Sequence, residues 1–319
     1  MSRNASTSLN EDKNQKVPSR TIGFTLMVLI IVFVAVWMQA QGNNLENLPA
    51  SQPYEVDIDG FKADAWFLPD DLTWGFVEVS AGEFVMGSNP ALDRSAYENE
   101  RWSNLERQGE VFLPTYFIGR FETTVAQFAA YAREVGLEWD QMDGKSAPQL
   151  PIHNITWADA LGYGRWLDSK LRSSLETPKV IKSFLENGGR ITIPSEAEWE
   201  KAARGTDGRI FPWGSRPSPD FANFNSSEIL PVGEMRCEPC ANGLSDMSGN
   251  VWEFTRSPLQ DYPYNPSDDE SNLSEDALWV MRGGSYAESL NNIRAAVRGA
   301  VDPGVRSGAI GFRVVVTSL

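Results

Sequence analysis

The stretch Asn242-Gly243-Leu244-Ser245-Asp246-Met247-Ser248-Gly249-Asn250-Val251-Trp252-Glu253 decides how this chain is read. Turn-forming residues crowd its first part, and it closes on Val251-Trp252, an apolar pair that a packed domain buries. The rest of the chain has the same character. Its 319 residues include 26 glycines, 19 prolines and 11 tryptophans, which describe a loop-rich, aromatic-packed domain and not a helical bundle.

Upstream of that stretch, Trp74-Gly75-Phe76-Val77-Glu78-Val79 and Gly82-Glu83-Phe84-Val85-Met86-Gly87 read as two short strands joined by a turn at 80–82. Three helices are marked by their caps. Thr124 and Gln127 form a capping box, Val125, Phe128, Ala129 and Ala132 follow at helical spacing, and Gly136 can close the helix. Thr156 precedes Trp157-Ala158-Asp159, with Ala160, Leu161, Gly164 and then Leu167 or Leu171 continuing a buried face. Ser195 and Glu198 open a third helix, and Gly205 stops it. No internal repeat is visible. The expectation is one α+β domain over 72–319, rich in irregular structure.

Composition narrows the chemistry. A hydrophobic fraction of 41% is too high for a disordered chain and too low for a multi-span membrane protein. The net charge of −15 repels phosphate backbones, and no basic patch counters it, so no nucleic acid is expected as a partner. The single histidine, His153, removes mechanisms that need several: multi-histidine zinc or facial-triad iron. Two cysteines, Cys237 and Cys240, allow one disulfide.

The N-terminal part predicts an address. Residues 1–20 are polar, with Arg3, Lys13, Lys16 and Arg20, and Ile22 to Met38 then runs without a charge. Positive charge before the span and acidic bulk after it place 1–20 in the cytoplasm and 21–40 in the membrane as a signal anchor. Residues 41–71 then form a linker. The reading is a single-pass inner-membrane protein whose C-terminal domain is periplasmic or otherwise extracytoplasmic. A cleaved signal peptide ending near Met38-Gln39-Ala40 is the competing reading.

Several phrases occur in a fixed order: Gly82-Glu83-Phe84-Val85-Met86-Gly87-Ser88; Phe117-Ile118-Gly119-Arg120-Phe121-Glu122-Thr123-Thr124; Leu150-Pro151-Ile152-His153-Asn154-Ile155-Thr156-Trp157; Ile193-Pro194-Ser195-Glu196-Ala197-Glu198-Trp199-Glu200; Phe211-Pro212-Trp213-Gly214; the opening stretch; Arg282-Gly283-Gly284-Ser285-Tyr286; and Gly311-Phe312-Arg313. In this order they resemble the formylglycine-generating enzyme family, also called the sulfatase-modifying-factor domain, across roughly 72–319. The resemblance implies a C-type-lectin-like fold, low in regular secondary structure, with bound calcium.

In the family's active oxidases a cysteine pair shortly after Arg-Gly-Gly-Ser holds copper and exchanges disulfides with substrate. The equivalent segment here, Ser285-Tyr286-Ala287-Glu288-Ser289-Leu290-Asn291-Asn292-Ile293-Arg294, is slightly shorter and contains no cysteine. Cu(I) selects soft thiolates, so no copper and no formylglycine-generating oxidase activity are expected. A second branch uses a histidine-bound iron, which one histidine sets aside.

Carried over position by position, the resemblance gives a calcium loop in which Asp246 and Glu253 supply carboxylates and Gly249 and Val251 supply carbonyls, hard donors that Ca²⁺ accepts. A metal-free turn packing Trp252 is the alternative. A second calcium site beginning at Asn223-Phe224 lacks its acidic ligand. Cys237-Glu238-Pro239-Cys240 reads as a local structural disulfide in preference to a redox motif. The late arginines, Arg282, Arg294, Arg298, Arg306 and Arg313, read first as buried ties between carboxylates and carbonyls. Alternatively, Ser285, Glu288, Asn291, Arg294 and Arg298 line a groove that grips a ligand. His153 reads as structural.

The leading expectation is a membrane-anchored accessory module that binds an envelope protein or a peptide. One rival is a family enzyme with a cysteine-independent mechanism in envelope, cofactor or siderophore maturation. The other is a structural component of an envelope complex.

Overall fold

The computed structural model describes residues 72–103, 105–106, 108–139, 147–269 and 277–318. The chain divides into two units, Met1–Pro53 and Tyr54–Leu319, and every described residue belongs to the second. The expected tail, membrane span and linker, 1–71, lie outside the described residues. Among the described residues no helix is long and apolar enough to cross a membrane.

Three small sheets carry the fold. The first takes β1 (Phe76–Val79), β4 (Tyr116–Gly119), β10 (Val315–Thr317) and β5 (Arg190–Thr192) in the order β1-β4-β10-β5, all antiparallel. The second pairs β2 (Gly82–Met86) with β3 (Gly109–Leu113), from Gly82↔Leu113 to Met86↔Gly109. In β3 burial alternates strictly: Gly109, Val111 and Leu113 are inside and Glu110 and Phe112 outside, as a half-covered strand requires. The third orders β8 (Gly299–Val301), β7 (Trp279–Arg282), β6 (Trp252–Pro258) and β9 (Ile310–Gly311), with β6 and β9 parallel.

All three predicted caps are present. Thr124 and Gln127 close a reciprocal box on α1 (Val125–Val135), and Gly136 ends it in the left-handed region at φ 69°. Thr156 and Asp159 start α2 (Trp157–Ser173), which runs through both Leu167 and Leu171. Another helix, α3 (Lys179–Glu186), starts after Pro178 without a side-chain cap, so the cap signals that marked the others do not mark it. Ser195 and Glu198 start α4 (Glu196–Arg204).

Two cores result. Phe128, Tyr163 and Phe312 join α1 and α2 to the chain's last turns, and Trp157 stacks on Trp279 with centroids 3.9 Å apart. Trp199 centres the other core, with Met86, Leu113, Ile118 and Val315. Every residue of α4 is buried, its three glutamates, Lys201 and Arg204 included. Isolated buried charges are prohibitive, so each must meet a partner, and these partners organise the site.

Candidate functional site

After β7, Gly283 and Gly284 turn the chain at φ 94° and 75°. A Cβ on Gly284 would stand 2.6 Å from the Asn292 carbonyl oxygen, so only glycine lets the segment fold back on itself. The returning backbone is pinned to its neighbours. Tyr286 N–H donates to the Asn250 carbonyl at 2.8 Å, Asn225 N–H to Glu288 at 2.8 Å and Ser226 N–H to Tyr286 at 2.7 Å. Ser248 Oγ donates to the Ile293 carbonyl at 2.7 Å.

The five groove candidates then separate. Ser285, Arg294 and Arg298 are buried, whereas Glu288 is half-buried and Asn291 exposed. Arg294 donates to Asp93 at 2.6 Å and to both oxygens of Glu100 at 2.7 and 2.8 Å. Arg298 donates to both oxygens of Glu196 at 2.6 and 2.9 Å and to the carbonyls of Asn99 and Gln260. Burial alone would lower the Arg298 guanidinium, but Glu196 and Tyr262 more than offset it and hold it above its ordinary range. Neither arginine is available to grip a ligand, which corrects the groove reading for both. They are internal ties.

What faces outward is one carboxylate among amides and hydroxyls. Glu288 accepts from Trp252 Nε1 at 3.2 Å and from Asn292 Nδ2 at 2.6 Å. Tyr97, 43% exposed, donates its hydroxyl to Asn292 Oδ1 at 2.7 Å, and Ser95 Oγ donates to Asn291 Oδ1 at 3.1 Å. Ser95, Tyr97 and Asn292 were not foreseen. Nothing local marks the first two, because their partners lie nearly two hundred positions away, at separations of 196 and 195.

The same arginine logic governs α4. Arg282 meets Glu196 at 3.3 Å and also Glu200, Arg256 meets Glu198, and Arg204 meets Glu200 at 2.8 Å. Arg313 closes bidentately on Glu253 at 2.6 and 2.7 Å, and Trp199 Nε1 donates to the same carboxylate at 2.8 Å.

That last contact bears on the calcium loop. Asp246, at φ 57°, accepts Gly233 N–H at 2.7 Å, and burial pushes its carboxyl up to about 6. Gly249 N–H donates to Gly283 at 2.8 Å, and a Cβ on Gly249 would lie 2.1 Å from the Asn223 carbonyl oxygen. Val251 N–H and Asn250 Nδ2 donate to Glu122, whose carboxyl is raised by burial and then by Asp246 and Glu253. Both Glu253 oxygens already face a guanidinium, which would repel a cation, so Glu253 as placed does not fit an open calcium ligand. Among the described residues no group of three or more His, Cys, Asp or Glu is disposed to hold a metal ion.

Cys237 and Cys240 are disulfide-bonded with Cα atoms 5.3 Å apart. His153 is half-buried, bonds Pro151 through Nδ1 at 2.9 Å, and is lowered by burial. Arg306 pairs with Asp159 at 3.0 Å. A recess of about 530 Å³, counted with its open mouth, lies elsewhere, lined by Trp74, Phe76, Phe121 and Tyr163 with Glu122.

A mixed α+β domain with a Gly-Gly turn, internal arginine ties and a polar outer face on 288–292 defines the class. Residues 69–318 match the sulfatase-modifying factor enzyme 1-like domain, and the chain belongs to that family. It is 31% identical over 206 residues to the formylglycine-generating enzyme of Streptomyces coelicolor, covering 56% of this chain and 58% of that protein. Against the hercynine oxygenase of Mycolicibacterium smegmatis the identity is 27%, covering 70% and 56%. Against the inactive Cα-formylglycine-generating enzyme 2 of Mus musculus it is 30%, covering 74% and 84%. The chain thus spans a little over half the length of the first two. Among solved structures, PvdO from Pseudomonas aeruginosa superposes with TM-score 0.61 at 25% identity, over 76% of this chain and 94% of that one. Variable protein 1 of Treponema denticola shares the fold, with TM-score 0.57 at 21% identity over 76% and 94%.

Proposed function

We propose that this chain is a binding or accessory member of the family, without thiolate–copper oxidase chemistry, whose outer face at Glu288, Asn291 and Asn292 holds a peptide or a protein partner. One observation carries the reading. The segment after Arg282-Gly283-Gly284-Ser285 offers a carboxylate, amides and hydroxyls but no thiol. The chain's two cysteine sulfurs are bonded to each other in a separate loop. Cu(I) binding by carboxylate and amide alone forfeits the affinity that sulfur supplies. A family relative named as inactive supports the reading by analogy. The sequence pattern adds a signal anchor at 21–40 that places the domain outside the cytoplasm, beside envelope partners.

The test incubates purified protein with copper, oxygen and a sulfatase-motif peptide and weighs the peptide. An unchanged cysteine is the expected result; conversion to formylglycine that disappears on replacing Cys237 and Cys240 by serine restores the oxidase. A reporter fused after Leu319 checks the address, and activity in the cytoplasm would refute the anchor.

A further inference from the structure

The Cys237–Cys240 pair is built unlike a staple. A cross-link stabilises in proportion to the chain freedom it removes, and that grows with loop length. This one spans a sequence separation of 3, and its turn is already closed by Cys240 N–H donating to the Cys237 carbonyl at 3.2 Å. The flanks are held independently. Arg209 Nη1 donates to the carbonyls of Pro239 at 2.9 Å and Pro212 at 3.0 Å. Ala241 N–H donates to Pro212 at 3.0 Å, and Asn242 Nδ2 to the Ala202 carbonyl at 3.1 Å. On the other side Gly233 N–H is fixed to Asp246. Removing the sulfur bridge therefore leaves the turn in place.

The bridge is also reachable. Glu238 and Pro239 are exposed and both cysteines half-exposed, so an attacking thiolate needs no unfolding to arrive.

We propose that Cys237–Cys240 is an exchangeable disulfide that accepts electrons from a dithiol partner. A partner thiolate attacks one sulfur of the pair, forming a mixed disulfide while the other sulfur leaves as thiolate and takes up a proton. The partner's second thiol then displaces the sulfur it holds. The partner departs as a disulfide, and Cys237 and Cys240 remain as two thiols; two electrons and two protons have moved to the loop. The exchange at this pair does not depend on the function proposed for the 288–292 face.

The experiment exposes the purified full chain to excess reduced glutathione or dithiothreitol, quenches with acid, alkylates free thiols and weighs the protein, alongside melting curves. Both reagents are expected to open the pair while the melting temperature falls by no more than about 6 °C, the scale the loop-length relation gives so short a loop in a domain of this size. Cys240→Ser is expected to capture glutathione on Cys237 as a mixed disulfide. Two results overturn the proposal. One is a pair that stays closed in glutathione sufficient to reduce the same protein in denaturant. The other is a larger melting loss, on reduction or in the Cys237→Ser, Cys240→Ser double variant, which would make the bridge a staple after all.

Discussion

The segment from Arg282 to Arg298 and helix α4 both carry charge, yet only one of them meets solvent. Helix α4 is buried throughout, with Glu196, Glu198 and Glu200 closed by Arg282, Arg298, Arg256 and Arg204. The 282–298 segment sends its arginines inward to those carboxylates and to Asp93 and Glu100, and turns Glu288 and Asn291 outward. Between these two regions, the buried charges tie the scaffold, and one carboxylate with two amides, Glu288, Asn291 and Asn292, marks the outer face. A buried ion pair is weak evidence of net stability, but breaking one partner leaves an uncompensated charge and is severe.

Arg313→Met should be the harshest test of that division. It strands Glu253 in the core, and a loss of about 3–5 kcal/mol is expected by denaturant titration. A loss below about 1 kcal/mol would mean that water reaches the site and that inside and outside are less distinct than drawn.

The next effect is read from pH. Buried Asp269 accepts from the hydroxyls of Ser257 and Tyr264, and burial raises its carboxyl to about 6 against the opposing pull of Arg256, so the folded state binds a proton that the unfolded chain releases nearer 4. Stability from this group is full at acid pH and is lost as pH rises through about 6, a change on the order of 3 kcal/mol. The difference in stability between Asp269→Asn and the parent should shift in the variant's favour across that window. A flat difference would show Asp269 ionised like a surface carboxylate.

Thr156→Ala removes the oxygen that accepts Asp159 N–H at 3.2 Å, and about 1 kcal/mol should be lost, with no effect on partner binding. Glu288→Gln should cost under about 0.5 kcal/mol and act on partner or peptide capture alone. If it destabilises as Arg313→Met does, the outer face is scaffold too. Smallest of all, a calcium chelator should leave the melting curve where it is. A chelator-dependent fall that vanishes in Glu253→Ala would show that Arg313 yields the carboxylate to a cation.

Much of this is legible in the amino-acid sequence. Thr124, Thr156 and Ser195 announced three helices because a capping box is a local transaction between residues three apart. The first two strands were legible as well, but not their partners, since β1 pairs with β4 and β2 with β3 in different sheets. Helix α3 was not, because Pro178 offers no side-chain cap. The burial of α4 was equally hidden. Glu196-Ala197-Glu198-Trp199-Glu200-Lys201 has the charge density of a solvent-facing helix, and only arginines from distant segments make its burial tolerable.

The sequence by itself determined the family, through phrases in fixed order, and the absence of thiols from the segment after Ser285. Both are properties of residue identity along the chain. The tertiary structure decided which polar groups remain to meet a partner. Arg294 and Arg298 read first as buried ties and alternatively as groove residues, and Asp93, Glu100 and Glu196 against them, at separations of 201, 194 and 102, decide for the ties. A guanidinium is fixed by whichever carboxylate the fold brings within about 3 Å. Spacing along the chain carries no trace of that choice.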